Sequence, residues 1–429
     1  MAQTTLAGDS WKEMKEKALK WALAPAALII LYVFFGVFGR NFFSYPTFVN
    51  IVDAAYYIGF IAIGVTFVII TGGIDLSVGT VMMCAAIIGG TAYKTWGWPM
   101  WISLLLIIAV GLAFGIFNGL MVSRLKLPPF IVTLGTMMIS MGVGSIVSNV
   151  QSATFPTRTA DDGWFKSIFK IISEEGFTIP TGAFVLIAVA VISAIILNNT
   201  KMGRYIYAIG SNKEAARLSG VNVKKWEMMA YVVAGTCAGI GGISYAAVYT
   251  TVLPAQGQGF ELFAIAGAVI GGTSLAGGVG TIFGTVIGVL IMSVLSVGLP
   301  AMNLQAHYQT FFTGVVVIGA VLLDMYRIRR ASEVTVPTAA DKYRTEIEED
   351  IARLREEAEK KRDAADESAA KDHERQAKQK QKELKSTYAK MKAEEKREQA
   401  QIRAQERASE REFHEELAQS ENERSPQNK

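Results

Sequence analysis

The stretch "TGGIDLSVGT", residues 71–80, sets an acid and two hydroxyls among glycines between two long apolar runs. Asp75 can cap the helix that follows, face a polar cavity where it lines a route for a solute, or sit near the surface. A charge at the centre of a bilayer costs about 2.5–3.5 kcal/mol on insertion scales, so the first two readings keep this segment inside a protein bundle, away from lipid. Capping at a bend is the simplest of them. A second glycine-rich stretch, "GGTSLAGGVGT" (271–281), lacks the Lys-Ser/Thr ending of a phosphate-binding loop. No nucleotide motif occurs elsewhere, so ATP hydrolysis by this chain is not expected. His307, His373 and His414 are scattered, and Cys84 and Cys237 lie in apolar runs. They read as small core residues rather than as a disulfide or metal ligands. No cofactor is implied.

The elements that must position these residues are apolar. Of 42 Lys+Arg and 38 Asp+Glu, residues 341–429 hold 22 and 24. The first 340 residues are an apolar body with a formal charge of +6, and the remainder is a hydrophilic tail at −2. Apolar runs near 22–39, 51–71, 78–93, 100–121, 130–148, 181–197, 227–250, 259–271, 280–299 and 309–324 suggest ten membrane spans. The runs at 78–93 and 259–271 are short and abut glycine-rich breaks. The first run follows basic residues, as a signal peptide does, but its length and the spans behind it favour a retained helix. The expected fold class is an all-α polytopic membrane protein. Its expected parts are a cytoplasmic amphipathic N-terminus (1–20), a transmembrane domain (21–330), a linker (331–340) and a charged helical or partly disordered cytoplasmic tail (341–429).

Lys and Arg in short loops set the orientation. With the N-terminus cytoplasmic, Lys12, Lys15, Lys17, Lys20, Arg124, Lys126, Lys201, Arg204, Lys213, Arg217, Lys224, Lys225, Arg327, Arg329 and Arg330 fall inside. The outside keeps Arg40, Lys94, Arg158, Lys166 and Lys170. Ten spans return the tail to the cytoplasm. Trp96, Trp98 and Trp101 fall at an outer boundary, where amphipathic rings are favoured. "GWFKSIFKII" (163–172) reads either as a short amphipathic helix on the membrane or as a loop packed on the spans.

"VIITGGIDLSVGTV" (68–81) echoes "AVIGGTSLAGGVGTI" (268–282), which suggests two parallel repeats, spans 2–4 and 8–10. Gly111, Gly115 and Gly119, Gly235 with Gly239, and Gly284 with Gly288 recur every four residues, a spacing that lets helix backbones approach closely. In the loop at 198–229, "KEAARL" is helix-forming, Asn212 suits its N-cap and Gly220 its stop. It reads as a docking element for another protein or as a solvated loop whose charges fix topology.

"TGGIDLSVG", "PPFIVTLGTMM" (128–138), "AIGSNKEAARLSGVNV" (208–223) and "GGTSLAGGVGT" resemble, in type and order, the permease subunits of bacterial ATP-binding-cassette sugar importers of the ribose/galactose/xylose group. The resemblance spans about residues 40–330. It implies a fold like the vitamin B12 importer's and a homodimer or paired permease in the cell membrane. It also implies two docked ATP-binding-cassette ATPase domains, an extracytoplasmic sugar-binding protein as partner, and no nucleic acid. "EAARLSG" is similar to the family's coupling-helix motif. This points to Lys213, Glu214, Ala215, Ala216, Arg217 and Gly220 as the ATPase contact, with the alanines allowing close approach and Lys213 and Arg217 meeting acidic partners. Thr71, Gly72, Gly73, Asp75, Ser77, Asn118, Thr133 and Gln309 are candidates for a translocation path or gate. In "ELFAIAG", Phe263 stands where the family often has aspartate.

The expected function is a non-catalytic permease that imports a monosaccharide by alternating access. Rivals are an amino-acid or nucleoside permease of the same superfamily, an ion-coupled carrier using Asp53, Asp75, Glu227 or Glu261, and a membrane anchor for an assembly held by the tail. In the tail, Ile347, Ile351, Leu354 and Ala358, and later Leu384, Tyr388 and Met391, form brief seams. One long solvated helix is the first expectation there, with partial disorder and a partner-binding coiled coil as the alternatives.

Overall fold

The computed structural model describes residues 24–173, 176–332, 339–363 and 367–424. The chain divides into two compact units, Met1–Ile328 and Arg329–Lys429.

In the first unit all ten apolar runs form helices. They are α1 (Ala24–Phe38), α2 (Tyr45–Ile70), α3 (Val78–Lys94), α4 (Met100–Ser123), α5 (Pro129–Val147), α6 (Gly182–Asn199), α9 (Val223–Tyr249), α10 (Phe260–Ile270), α11 (Ile282–Ala301) and α12 (Ala306–Ser332). Two short helices, α7 (Lys201–Ser211) and α8 (Lys213–Leu218), precede α9. Six of these, α2, α4, α5, α6, α9 and α11, are long and apolar enough to cross a membrane. The apolar parts of α1, α3, α10 and α12 are shorter.

Helix α2 is the axis. It is apolar on every side and its membrane-length window is wholly buried, as expected of a helix with no polar face. Ser44 caps its start by accepting from the Thr47 amide. α9, α11, α10 and α6 pack around it. The four-residue glycine spacings act where they were expected to. Gly235 of α9 meets the backbones of Gly111 and Gly115 on α4, and Gly288 of α11 meets the Gly267 carbonyl on α10. A side chain at these contacts would separate the helices.

Both glycine pairs end a helix in the same way. After α2, Gly72 (φ +81°) donates to the Ile69 carbonyl and Gly73 to that of Val68. After α10, Gly272 (φ +96°) donates to Val269 and Thr273 to Ala268. Each pair of bonds is a Schellman stop, which needs a left-handed residue that glycine supplies without strain. The next helices, α3 and α11, start after Ser77 and Thr281, and Thr281 caps α11 through the Gly284 amide.

At the other end of the bundle, the described residues 149–173 and 176–180 pack onto the helices. β1 (Ala153–Thr154) pairs antiparallel with β4 (Thr251–Val252), and β2 (Ile171–Ile172) with β3 (Thr178–Ile179). "GWFKSIFKII" begins in a 3-10 helix, Asp161–Ile168, that buries Phe165 against Phe155 and leaves Trp164 exposed. Its buried Lys166 donates to the Thr250 hydroxyl at 2.6 Å. Burial, and then the Arg158 charge, pull the Lys166 ammonium below the usual lysine range. The packed alternative is therefore the observed one. Trp96 and Trp98, in the turn between α3 and α4, and Trp101, in the first turn of α4, are all exposed.

The second unit corrects the expectation of one long solvated helix. It contains α13 (Ala339–Asp363) and α14 (Glu367–Arg424), which pack on each other. The two seams are its core: Ile351 of α13 is buried with Ala377 and Leu384 of α14, flanked by Ile347, Leu354 and Tyr388. Each seam is too thin to stand alone, and each supplies the apolar face the other lacks. The pair Lys380–Asp350 bridges the helices at 2.6 Å.

Candidate functional site

Three features meet at one end of the bundle: the α7–α8 projection, the break between α2 and α3, and the loop between α10 and α11.

Helix α8 is six residues long. The Asn212 side chain accepts from the Ala215 amide at 2.9 Å, and Gly220, at φ +82° in open space, lets the chain turn away. Ala216 is buried between Ile209 of α7 and Val223 of α9, so only Ala215 of the two alanines faces outward. Lys213 pairs with Glu227 of α9 at 2.8 Å, and Arg217 with Glu214 at 2.7 Å. Both basic residues expected to meet acidic partners are thus engaged within the chain. The outward face is led by Leu218, 81% exposed. Sequence reasoning passed over this residue, although an apolar side chain between Arg217 and a glycine turn was a readable signal.

At the first break, Asp75 Oδ1 accepts from the Ser77 amide (2.9 Å) and the Ser77 hydroxyl (2.6 Å). Asn118 of α4 donates to the Ser77 Oγ at 2.9 Å and accepts from the Thr136 hydroxyl of α5 at 2.6 Å. Thr133, one turn earlier on α5, donates to its own helix at Pro129 (2.9 Å) and lies 3.4 Å from the Ile74 carbonyl. Thr71 donates to the Val68 carbonyl. Asp75, Ser77, Asn118, Thr133 and Thr136 are all 2% exposed or less. The structure therefore brings Asp75, Ser77, Asn118 and Thr133 together, with Thr71, Gly72 and Gly73 forming the same break. It adds Thr136, which shares a face with Thr133 at a three-residue spacing. The side chain of Gln309 lies outside the described residues. This network binds α3, α4 and α5 to the break, and a route along it requires those helices to part.

The remaining acids also have chain partners. Asp53 pairs with Lys170 of the 149–180 segment, Glu227 with Lys213, and Glu261 accepts from the Gly259 amide at the start of its own helix. Phe263 packs in the apolar core. Among the described residues no group of three or more His, Cys, Asp or Glu is placed to hold a metal.

The loop 271–281 is held from three sides. Gly278 donates to the Ile70 carbonyl at the end of α2 (2.9 Å), and the Tyr207 hydroxyl of α7 donates to the Gly280 carbonyl (2.7 Å). Asp324 of α12 accepts from the Leu275 amide (2.9 Å) and the Ser274 hydroxyl (3.3 Å). Asp324 was not among the acids expected to matter, though a lone acid ending the last apolar run was visible.

Apolar helices of membrane-crossing length, broken by glycine stops over buried polar contacts, define a multi-pass membrane protein. Residues 47–321 match the family described as branched-chain amino acid transport system / permease component, and the chain belongs to that family. It is 36% identical over 302 residues to a ribose import permease protein of Escherichia coli (strain K12), covering 70% of this chain and 91% of that one. It is 34% identical over 313 residues to a fructose import permease protein of Rhizobium meliloti (71% and 86% covered). It is also 32% identical over 334 residues to a galactose/methyl galactoside import permease protein of Salmonella typhimurium (74% and 98% covered). No solved structure gives a significant match.

Proposed function

We propose that the chain is the membrane subunit of an ATP-binding-cassette importer for a monosaccharide. The observation that carries this reading is the near-full coverage of permeases named for ribose, fructose and galactose import. The chain supplies the passage, and separate ATPase subunits supply the motor. A homodimer or paired permease, an extracytoplasmic sugar-binding protein, ten spans and cytoplasmic termini complete the proposal. The matching Schellman stops after α2 and α10 support parallel repeats of the vitamin B12 importer type.

In this reading α8 meets the ATPase through Glu214, Ala215 and Leu218, while Lys213, Ala216 and Gly220 set its pose. Alternating access follows when ATP-driven closure of the ATPase pair displaces α8 and the helices bound to it. The break at Thr71–Ser77, with Asn118 and Thr133, serves as a gate that opens as α3, α4 and α5 separate. The in-chain partners of Asp53, Asp75, Glu227 and Glu261 favour this over an ion-coupled carrier.

The test is uptake of labelled pentoses and hexoses into vesicles holding the chain with its cognate ATPase and binding protein. Sugar uptake that requires ATP and both partners is expected. Uptake of branched-chain amino acids instead would replace the substrate, and sugar uptake by the chain alone would end the proposal. Glu214→Lys, Leu218→Asp and Gly220→Trp are each expected to release the ATPase on co-purification with membrane insertion intact.

A further inference from the structure

Helices α7 and α8 form one rigid corner. Only Asn212 separates them, and it bonds both ways: its amide donates to Ala208 of α7, and its side chain accepts from Ala215 of α8. Ile209, Ala216 and Val223 fill the angle between them and α9. A push on α8 therefore moves α7.

The far side of α7 touches backbone rather than side chains. Gly210 lies so close to the Ile70 carbonyl and the Gly278 amide that a β-carbon there would overlap both. Gly277, at φ +89°, packs against the Gly210 carbonyl and the Gly72 amide. Gly278 donates to Ile70. The end of α2, the loop 271–281 and the corner thus share one backbone junction. Side chains can absorb a small displacement by changing rotamer, and close-packed backbone cannot. Among the described residues one side-chain bond joins α7 to the loop: the half-buried Tyr207 hydroxyl on the Gly280 carbonyl, at 2.7 Å, next to Thr281, which caps α11.

We infer that the Tyr207 hydroxyl, held on Gly280, is the tie through which movement of α8 reaches both glycine breaks, the end of α2 and the start of α11. Tyr207 is a positioning residue for coupling. The inference rests on the proposal that α8 receives the ATPase, and it adds where the motion goes next. Steric contact at Gly210 can push the loop, whereas pulling it on the return stroke needs a bond.

The test uses the full complex in vesicles, with sugar transported per ATP hydrolysed as the readout. Tyr207→Phe keeps the ring and its packing and removes only the donor. ATP hydrolysis and ATPase co-purification are expected to persist while the transport ratio falls by about fivefold, the factor of one ordinary hydrogen bond. A purely structural role would lower the amount of assembled complex and leave the ratio unchanged, which overturns the inference. A second measurement does not depend on that variant. Spin labels at Ser219→Cys, the residue that ends α8, and Val279→Cys on the loop report their separation through the ATP cycle. A separation that stays constant is expected, and one that changes between nucleotide states overturns the tie. Failure of the α8 docking proposal reads out separately, as co-purification of the ATPase with Glu214→Lys.

Discussion

Lys213 and Glu227 lie 2.8 Å apart and join the first turn of α8 to α9, with Glu227 buried and Lys213 half in solvent. The pair fixes how far α8 stands from the bundle. Lys213→Met leaves a buried carboxylate unpaired, whereas Glu227→Gln removes the charge that needs pairing. Limited proteolysis within 211–222 is therefore expected to quicken more for Lys213→Met than for Glu227→Gln. Equal rates for the two variants would count against the pair as the anchor.

Asn118 is the hub of the buried network at the first break, giving its amide to Ser77 and receiving the Thr136 hydroxyl. Asn118→Leu strands the Thr136 hydroxyl and takes the second hydrogen bond from Ser77, which keeps only its bond to the Asp75 carboxylate. It is expected to cost about 3 kcal/mol, the upper range for stranding buried polar groups. Asp75→Asn retains an acceptor for the Ser77 amide and is expected to cost less. Thermal unfolding of the purified subunit in detergent orders the two, and an Asn118→Leu midpoint equal to the parent's would refute the hub.

Gly235 and Gly135 differ only in their surroundings. A β-carbon on Gly235 would sit 2.6 Å from the Gly115 Cα, while one on Gly135 meets nothing within 4 Å. Gly235→Ala is expected to destabilise the isolated subunit by about 3 kcal/mol or more, as backbone overpacking does. Gly135→Ala gains helix propensity worth about 0.5–1 kcal/mol. Detergent melting curves that shift the same way for both would contradict the packing.

In the second unit, Ile351→Asp is expected to separate α13 from α14, because it places a charge against Ala377 and Leu384. Acid should loosen the same contact. The Lys380 hydrogen bond and charge hold the Asp350 carboxyl below its ordinary range. Its contribution is complete above the unfolded aspartate value of about 3.9 and fades as pH falls through the lowered folded value. Circular dichroism of residues 339–424 should lose helix in acid, less steeply in Lys380→Gln. Removing residues 341–429 is expected to leave uptake intact, and abolished uptake would favour a role for the tail in transport.

The ten apolar runs and the glycine spacings were legible because hydropathy and backbone approach are local properties. Asn212 as a cap and Gly220 as a stop were legible for the same reason: capping involves residues at most a few positions apart. The tail shows where that ends. Both seams could be read, but that they pack on each other is a contact between residues far apart in the chain, which neither seam encodes.

The sequence by itself determined which segments are apolar helices, where glycine breaks them, and the family to which the pattern belongs. Only the tertiary structure decided that Ala216 faces inward, that Lys213 is already paired with Glu227, and that Asn118 reaches Ser77. It alone placed Gly210 and Tyr207 against the loop 271–281. The reason is distance along the chain. Tyr207 and Gly280 are 73 residues apart, and no periodicity links them. Their meeting follows from how α2 and α9–α11 pack, and that packing is a sum over many contacts rather than a property of any one segment.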